Sequence, residues 1–312
     1  MNSTRNNTFG FFGRSQQDRG LHLPSAGRPA ALFVMCAMLA PCSVAWAQDA
    51  PPDRLELAGV ARDFIEQTKE GGHTDFEQKP ASGFGHYMGN VSDTLDADSK
   101  PVFEGGGHKV AYQWKNSAGQ PIHPKFYDPS KGDVAGRVYA SVDPGGIESA
   151  MSFREWFRDT PGTNLSEPLN LTLERVGGTD EQPVYSFMSD AFFPLDGKLL
   201  GNSGGAPDHN FHFTFELHTE FTYLAGSGQV FSFYGDDDVW VYVNDDLVID
   251  IGGVHAKVQQ VVELDRLGLE DGKTYPLDFF FAERHRTQSN FRIDTTLVLS
   301  NKDLPTVSAA YD

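Results

Sequence analysis

Cysteine is nearly absent from this sequence. Of 312 residues only two are cysteines, Cys36 and Cys42, and both precede residue 48. The rest of the chain has no disulfide available, so its fold must be large enough to be stable through burial alone. Hydrophobic residues make up 39% of the sequence, which is enough to build a core and excludes a wholly disordered chain.

Basic residues are also scarce. The sequence has 25 Lys and Arg against 43 Asp and Glu, for a formal net charge of −18. Residues 1–47 carry four Arg and one Asp, so the remainder has 21 basic and 42 acidic groups. A surface this acidic repels phosphate, so we expect no nucleic acid and no anionic membrane surface as a partner, whereas cations are attracted.

Long hydrophobic runs are missing as well. The apolar run Ala30–Ala40 has 11 residues, whereas a membrane span needs about 20. Arg28 precedes this run, and Ala45-Trp46-Ala47 follows it with the small residues that a signal peptidase recognises. We therefore interpret residues 1–47 as the signal peptide of an exported protein that is periplasmic, cell-surface-associated or extracellular, with no stable membrane span. A lipid anchor on Cys42 is disfavoured because a proline precedes it.

The remaining sequence divides into three zones. Residues 48–56 form a Pro- and Asp-bearing linker, and the zone from Leu57 to about Asn164 is rich in Gly turns. One helix is predicted at Gly146–Asp159, where apolar residues recur at helical spacing. From Leu169 onward apolar and polar residues alternate, which predicts β-strands.

The clearest strand pattern is Asn210–His218, where one face has the apolar residues Phe211, Phe213, Phe215 and Leu217 and the other has the polar residues His212, Thr214, Glu216 and His218. This pattern predicts a half-buried antiparallel strand. Further strands are predicted at Val230–Tyr234, Val239–Val243, Leu247–Ile251, Val258–Leu264, Leu277–Phe281 and Phe291–Leu299.

The predicted fold class is all-β: a jelly-roll-like β-sandwich of about eight to ten strands over residues 57–299. It has an N-terminal loop-rich extension, one short helix and a C-terminal tail at residues 300–312. The predicted core residues are Phe211, Phe213, Phe215, Phe231, Phe233, Val241, Val243, Phe279 and Phe281.

Three histidines, His209, His212 and His218, lie close together in the sequence. Only His212 and His218 share a strand face, and they are about 20 Å apart along it, too far to hold one metal ion between them. We interpret all three as surface residues.

An acidic triplet, Asp236-Asp237-Asp238, precedes the apolar run Val239–Val243. Three adjacent carboxylates repel one another unless water or a cation compensates their charge. Ca²⁺ is bound by about six to eight oxygens, which neighbouring Asp side chains and loop carbonyls supply. The triplet therefore indicates either a Ca²⁺ site at the rim of the sheet or a solvated acidic turn.

Several motifs of enzymes are absent. The sequence has no HExxH metalloprotease motif, no phosphate-binding loop and no dinucleotide fingerprint. Glu283 and His285 have the residue types of an acid–base pair, but no nucleophile or set of oxyanion donors lies near them in sequence. A structural pair between Glu283 and Arg284 is the preferred interpretation, and we predict no catalytic residues and no enzyme activity.

Several segments, in order, resemble the fibro-slime domain of bacteria and slime moulds. The strongest is Phe231–Asn244 (FSFYGDDDVWVYVN), and the others include Phe153–Asp159, Asp250–His255, Phe281–His285 and Ser289–Asp294. The resemblance spans residues 57–299. One departure is the hairpin Asn244-Asp245-Asp246, where the family usually has Asn-Gly-Lys. We expect the turn to persist because Asn and Asp tolerate positive φ.

The fibro-slime domain is related to the protective-antigen-type β-sandwich of toxins, glycosidases and yeast flocculins. In its lectin members, two consecutive Asp residues joined by a cis peptide bond bind Ca²⁺, and the ion ligates sugar hydroxyls. The resemblance therefore implies a Ca²⁺ site on Asp236 and Asp237. The further metal ligands that we assign are Asp238 and Asn290, and the assigned ligand-binding residues are Glu283, His255 and Ser289.

Three functions remain open at this point. The favoured one is an exported, non-catalytic carbohydrate-binding or adhesion module that uses Ca²⁺ to bind an extracellular polysaccharide or glycoconjugate. The second is a structural extracellular-matrix or assembly protein that binds other proteins. The third is a glycoside hydrolase using Glu283 and an Asp of the triplet, which needs two carboxyl groups about 5.5 Å apart if retaining and farther apart if inverting.

The signal-peptide interpretation predicts the N-terminus of the exported protein. Mass spectrometry of exported material should find Gln48 or a close neighbour as the first residue, because cleavage follows Ala47. Exported protein that still begins at Met1 would contradict the interpretation.

Overall fold

The computed structural model describes residues 50–302, which fold into an all-β structure with very little helix and confirm the predicted fold class. The predicted signal peptide and most of the predicted tail lie outside these residues. The strands are β1 (Arg54–Phe64), β2 (Tyr87–Met88), β3 (His108–Tyr112), β4 (Trp114–Lys115), β5 (Pro121–Ile122), β6 (Arg137–Val142), β7 (Asn164–Gly178), β8 (Pro183–Ser189), β9 (Phe213–Thr222), β10 (Val230–Gly235), β11 (Asp238–Val243), β12 (Asp246–Ile251), β13 (Val258–Glu263), β14 (Thr274–Glu283), β15 (Phe291–Thr295) and β16 (Ser300–Asn301). The helices are α1 (Ala150–Arg154) and the 3₁₀ turns Pro124–Phe126, Pro129–Lys131 and Leu264–Arg266.

One large antiparallel sheet forms most of the molecule, in the order β12-β11-β14-β9-β1-β7-β8-β15-β10-β13, with β16 added beside β9. The two ends of this path, β12 and β13, are in contact, so the sheet nearly closes around a core, as in a barrel or sandwich. At this seam the side-chain amide of Gln260 bonds both the backbone N and the backbone O of Asp250. The Gln260 side chain therefore makes hydrogen bonds to β12 that a neighbouring strand's backbone would make in a continuous sheet.

The main core lies inside this curved sheet and is rich in phenylalanine. All nine residues predicted to point into the core are buried, which confirms the period-two assignment. The hairpin between β11 and β12 also forms as expected, since Asn244 and Asp245 have φ of 53° and 63°.

A second apolar cluster covers the other face of the central strands. Trp240 and Phe280 lie on that face. They pack against Phe153, Trp156 and further residues of the zone 57–164, which is called the N-terminal segment below. The central strands are therefore buried on both sides, which agrees with their continuous apolar runs.

This second layer corrects the predicted surface histidines. His212 and His218 are buried, at 2% and 6% exposure, and β9 is not half-exposed. The prediction assumed that the polar face of the strand meets water, whereas the N-terminal segment covers it. His209 remains at the surface, where its ring stacks on Phe193.

The N-terminal zone is less loop-rich than its Gly content indicated. It contributes β1, which lies between β7 and β9 in the large sheet and begins at Arg54, within the predicted linker. Helix α1 is shorter than the predicted Gly146–Asp159. Gly146 has a positive φ of 83°, and Ser149 forms a capping box that starts the helix at the next residue.

Charged side chains pair beneath the N-terminal segment. The two carboxylate oxygens of Glu216 lie 2.9 Å from Arg62 Nη1 and 2.5 Å from Lys100 Nζ. His218 Nδ1 is 2.6 Å from Asp278 Oδ1, and its Nε2 is 3.5 Å from Glu216 Oε2. Burial alone would lower the pKa of His218, but the hydrogen bonds to Asp278 and Glu216 outweigh it and raise that pKa. Burial of Glu216 is likewise outweighed by its cationic partners, which lower its pKa to about 2.

This network predicts a pH-dependent stability that His218 carries. Because the folded protein binds the imidazole proton more tightly than the unfolded chain does, the stabilisation is complete below about pH 6.5 and is lost as pH rises through the raised pKa. Urea unfolding of wild type and His218→Gln should therefore give a larger difference in unfolding free energy at pH 6 than at pH 9, while Glu216 stays ionised at both. An equal difference at the two pH values would contradict this assignment.

Candidate functional site

Strand pairing brings two loops together at one rim of the sheet. Asp236 and Asp237 connect β10 to β11, which begins at Asp238, and residues 284–290 connect β14 to β15. Because β11 pairs with β14 (Asp238 opposite Ala282) and β10 pairs with β15 (Gly235 opposite Phe291), both loops leave the sheet at the same edge. The register therefore places the candidate metal ligands beside the loop that was predicted to complete the site.

Asp236 is held rigidly by Asn290. Asp236 Oδ1 accepts from the backbone N of Asn290 at 2.5 Å, and its Oδ2 accepts from Asn290 Nδ2 at 2.6 Å. The peptide bond between Asp236 and Asp237 is cis, as the family resemblance implied. Asn290 thus orients Asp236 through its amide nitrogen.

Asp237 and Glu283 are buried carboxyl groups with little compensation. Within residues 50–302, Asp237 accepts hydrogen bonds from two backbone N–H groups alone, from His255 at 3.1 Å and from Arg284 at 3.2 Å. Neither carboxylate oxygen of Glu283 has a hydrogen-bond partner among the described residues, and the side chain is fully buried. Burial, and then the charge of a neighbouring Asp, raise the pKa of both groups well above the usual range.

Asp238, in contrast, forms an ion pair with Arg284. Its carboxylate accepts hydrogen bonds from Arg284 Nε at 2.6 Å and from Arg284 Nη2 at 3.1 Å, in a bidentate pair that is completely buried. A third bond comes from the backbone N of Gly253. This carboxylate is therefore neutralised inside the protein, and it does not line the cavity at the rim. The preferred Glu283–Arg284 pair is wrong, because the guanidinium bonds Asp238 instead.

The two other predicted ligand-binding residues, His255 and Ser289, have different positions relative to the rim cavity. His255 lines the rim cavity with Asp236 and Asp237, and burial lowers its pKa to about 4, so its imidazole is neutral. Its Nδ1 bonds the carbonyl of Ala256, which leaves Nε2 without a partner among residues 50–302. Ser289, in contrast, donates its hydroxyl to the Phe192 carbonyl at 2.8 Å and serves to anchor a loop.

The cavity at this rim has a volume of about 310 Å³. Its wall also contains Phe84, His285 and Arg286, which the sequence did not single out as ligand-binding residues. Phe84 is 45% exposed and meets His285 edge-on at 4.8 Å. Phe84 comes from the N-terminal segment, and no motif in that segment marks it for this position.

The charges at the rim do not balance. Asp236, Asp237, Asp238 and Glu283 bring four carboxyl groups together, and Arg284 is the one buried cation that bonds them in the described structure. The remaining carboxyl groups must either hold protons or share a bound cation. An all-oxygen set with an open side is suited to a hard divalent ion such as Ca²⁺.

A second group with metal-ligand chemistry consists of Glu66, Glu77 and His212, whose ligand atoms lie within 4.8 Å of one another. Arg286 Nη2 is 2.8 Å from Glu66, and the backbone N of Arg286 bonds Glu77. Arg286 Nε also lies 3.5 Å from Glu77 Oε1, so the same guanidinium already compensates both carboxylates.

Comparison with known proteins identifies the domain that carries the rim site. Residues 200–310 match the family described as PA14 domain, which confirms the predicted relation to the protective-antigen-type domain. Protein psiQ of Dictyostelium discoideum is 42% identical over 165 residues, or 49% of this chain and 16% of that protein. Protein psiD of the same organism is 44% identical over 157 residues, or 48% of this chain and 30% of that protein. The chain thus spans between about a sixth and a third of the length of these relatives.

Solved structures give weaker likenesses. The PA14 domain of the MpAFP antifreeze protein is 11% identical, with a TM-score of 0.25, over 40% of this chain and 69% of that one. The subtype-switched epithelial adhesin 9 A domain of Candida glabrata, solved with β-lactose, is 13% identical, with a TM-score of 0.23, over 71% of this chain and 84% of that one. TM-scores this low carry no argument about function.

Within residues 50–302 no helix is long and apolar enough to cross a membrane. The sequence matches and the rim geometry converge on the same segment, since the Asp triplet and the loop that follows β14 both fall within the matched residues. Residues 200–310 of this chain therefore match the PA14 domain family, and the chain is similar in sequence to the psi proteins of Dictyostelium discoideum.

Proposed function

We propose that this chain is an exported carbohydrate-binding or adhesion module that binds an extracellular polysaccharide or glycoconjugate through Ca²⁺, without chemical conversion of the saccharide. Asp236 and Asp237 bind the ion, and the saccharide enters the cavity of about 310 Å³ beside them. The observation that carries this proposal is the fully buried Glu283, whose two oxygens have no hydrogen-bond partner in the described structure and whose ionised form is opposed by burial and by the charges of Asp237 and Asp236 unless a cation is bound.

The protein arranges these groups before any ion arrives. Asn290 fixes both oxygens of Asp236, and two backbone N–H groups fix Asp237, so little side-chain entropy is lost on binding. Ca²⁺ requires about six to eight oxygens, more than two carboxylates supply. Because both Asp residues line the cavity, the open coordination positions face it, where saccharide hydroxyls complete the shell.

The same geometry disfavours a glycoside hydrolase at this rim. Glu283 is completely buried and does not line the cavity, so it has no path to the oxygen of a glycosidic bond. A glycosidase needs two carboxyl groups that flank the bond on opposite sides. Asp236 and Asp237 are adjacent in sequence and line the same cavity, and this arrangement suits one ion better than two catalytic roles.

Calcium should stabilise the wild-type protein. At a free concentration 100-fold above the dissociation constant, linkage adds about 2.7 kcal/mol, which raises the melting temperature in millimolar Ca²⁺ relative to excess chelator. The double variant Asp236→Asn/Asp237→Asn should lose this shift. The response should also weaken near pH 5, because protons compete with the ion for carboxyl groups whose pKa values are raised.

The matched control is Asp180→Asn, which removes one exposed carboxylate that pairs with Arg175 far along the chain from the rim. This variant should keep the full Ca²⁺ shift. A wild type that melts at the same temperature with Ca²⁺ and with chelator has no such site, and the proposal then fails.

Saccharide binding is tested separately. A glycan array probed with wild type in Ca²⁺ should give specific binding that chelator and the double Asp variant both abolish, because the ion supplies the contact to the hydroxyls. A Ca²⁺ shift without any bound glycan would instead favour the structural matrix or assembly protein. Release of reducing sugar from bound polysaccharide would contradict binding without chemical conversion.

A further inference from the structure

A second cavity, of about 180 Å³, lies near the start of β9 and shares no lining residue with the rim cavity. Its wall includes Ser203, His212 and Lys69. Ser203 is the central residue of Gly201-Asn202-Ser203-Gly204-Gly205, which has the Gly-x-Ser-x-Gly spacing of many serine hydrolases. The loop lacks the strand–turn–helix context of those enzymes, so the roles of the side chains must be judged from their geometry.

Ser203, His212 and Glu77 form a continuous hydrogen-bonded chain. Ser203 Oγ is 3.0 Å from His212 Nδ1, and His212 Nε2 is 3.0 Å from Glu77 Oε1. Because the Glu77 carboxylate accepts a hydrogen bond from the Nε2–H group, the neutral imidazole has its lone pair at Nδ1. The serine hydroxyl therefore donates to Nδ1, which is the arrangement of nucleophile, base and orienting acid in a catalytic triad, with the two ring nitrogens exchanged.

Glu77 is suited to the orienting role. Burial by itself would raise its pKa, but hydrogen bonds from His212 and from the backbone N of Arg286 outweigh burial and lower the pKa below its usual value. The carboxylate thus stays ionised and keeps the imidazole in one tautomer. A second carboxylate, that of Glu66, lies 3.8 Å from the same imidazole nitrogen.

A cation lies beside the serine. Lys69 Nζ is 2.6 Å from the backbone carbonyl of Ser203 and lines the same cavity. Its ammonium group is placed to attract negative charge that develops on a carbonyl oxygen next to Ser203. The cavity is smaller than the 300–1,000 Å³ of typical drug-sized ligand sites, so it admits a small acyl group and excludes a long one.

We propose that Ser203, His212 and Glu77 hydrolyse short-chain carboxylic esters, such as acetate esters, at a site independent of the Ca²⁺ rim. Ser203 Oγ attacks the ester carbonyl carbon while its proton passes to His212 Nδ1. The bond from that carbon to the alkoxy oxygen then breaks, and the leaving alcohol takes the proton from His212. Water next attacks the acyl-serine and gives a proton to His212. The carboxylic acid leaves, and Ser203 Oγ regains the proton.

The first test measures the serine directly, on the full exported protein. A fluorophosphonate probe should label Ser203, located by peptide mass spectrometry, and p-nitrophenyl acetate should be hydrolysed faster than p-nitrophenyl octanoate. Ser203→Ala should lose both labelling and hydrolysis. Ser227→Ala is the matched control, because Ser227 also lies in a glycine-containing loop but its hydroxyl donates to the backbone carbonyl of Leu224 and not to a histidine. It should retain both.

The second test separates catalysis from a purely structural hydrogen bond. His212→Gln should reduce hydrolysis by about 10²–10⁴-fold. Glu77→Gln should lower kcat with little change in KM, because Glu77 orients the imidazole but does not line the cavity that holds the ester. A folded wild type, shown by cooperative melting, that is not labelled at Ser203 overturns the proposal. So does a Ser203→Ala protein that hydrolyses acetate as fast as wild type.

Discussion

The buried ion pair between Arg284 and Asp238 is the contact on which the rim depends. The guanidinium is fully buried and donates to Asp238, to the carbonyls of Gly145 and Gly146, and to the carbonyl of Asp75, while it lies 4.9 Å from the ring of Trp156. The Arg284 side chain thus connects residues 200–310 to two separate loops of the N-terminal segment. Removing one partner from such a buried pair costs about 3–5 kcal/mol, because the other charge is left without compensation.

This pair also decides which carboxylates remain available. Because the guanidinium of Arg284 pairs with Asp238, the neighbouring Asp236, Asp237 and Glu283 form no ion pair with a cationic side chain in the described structure. The rim therefore combines one fully neutralised carboxylate, which supports the fold, with others that favour a bound cation. A set of carboxylates that the fold left unneutralised but held in place is what a Ca²⁺ site requires.

The N-terminal segment does more than precede the residues that match the PA14 domain family. It covers the second face of the central strands, brings Phe84 to the cavity wall and contributes Glu77 to the Ser203–His212 chain. Arg286 links the two regions, since it lines the rim cavity and bonds the carbonyls of Ser203 and Gly204. The same two segments thus form both the rim cavity and the second cavity. The two cavities lie on either side of Arg286.

Local patterns in the sequence were sufficient for strands β9 to β15, the phenylalanine core, the Asn244-Asp245 turn and the position of the Asp triplet at a strand end, but not for β1. These features depend on neighbours within a few residues, through alternation, turn preference and backbone geometry. The burial of His212 and His218, the isolation of Glu283 and the choice of Asp238 by Arg284 were not predictable in this way. Each depends on contacts such as that of Arg284 with Gly145, 139 residues away, because burial and charge pairing are set by what packs against a strand face, whereas alternation shows only that the face exists.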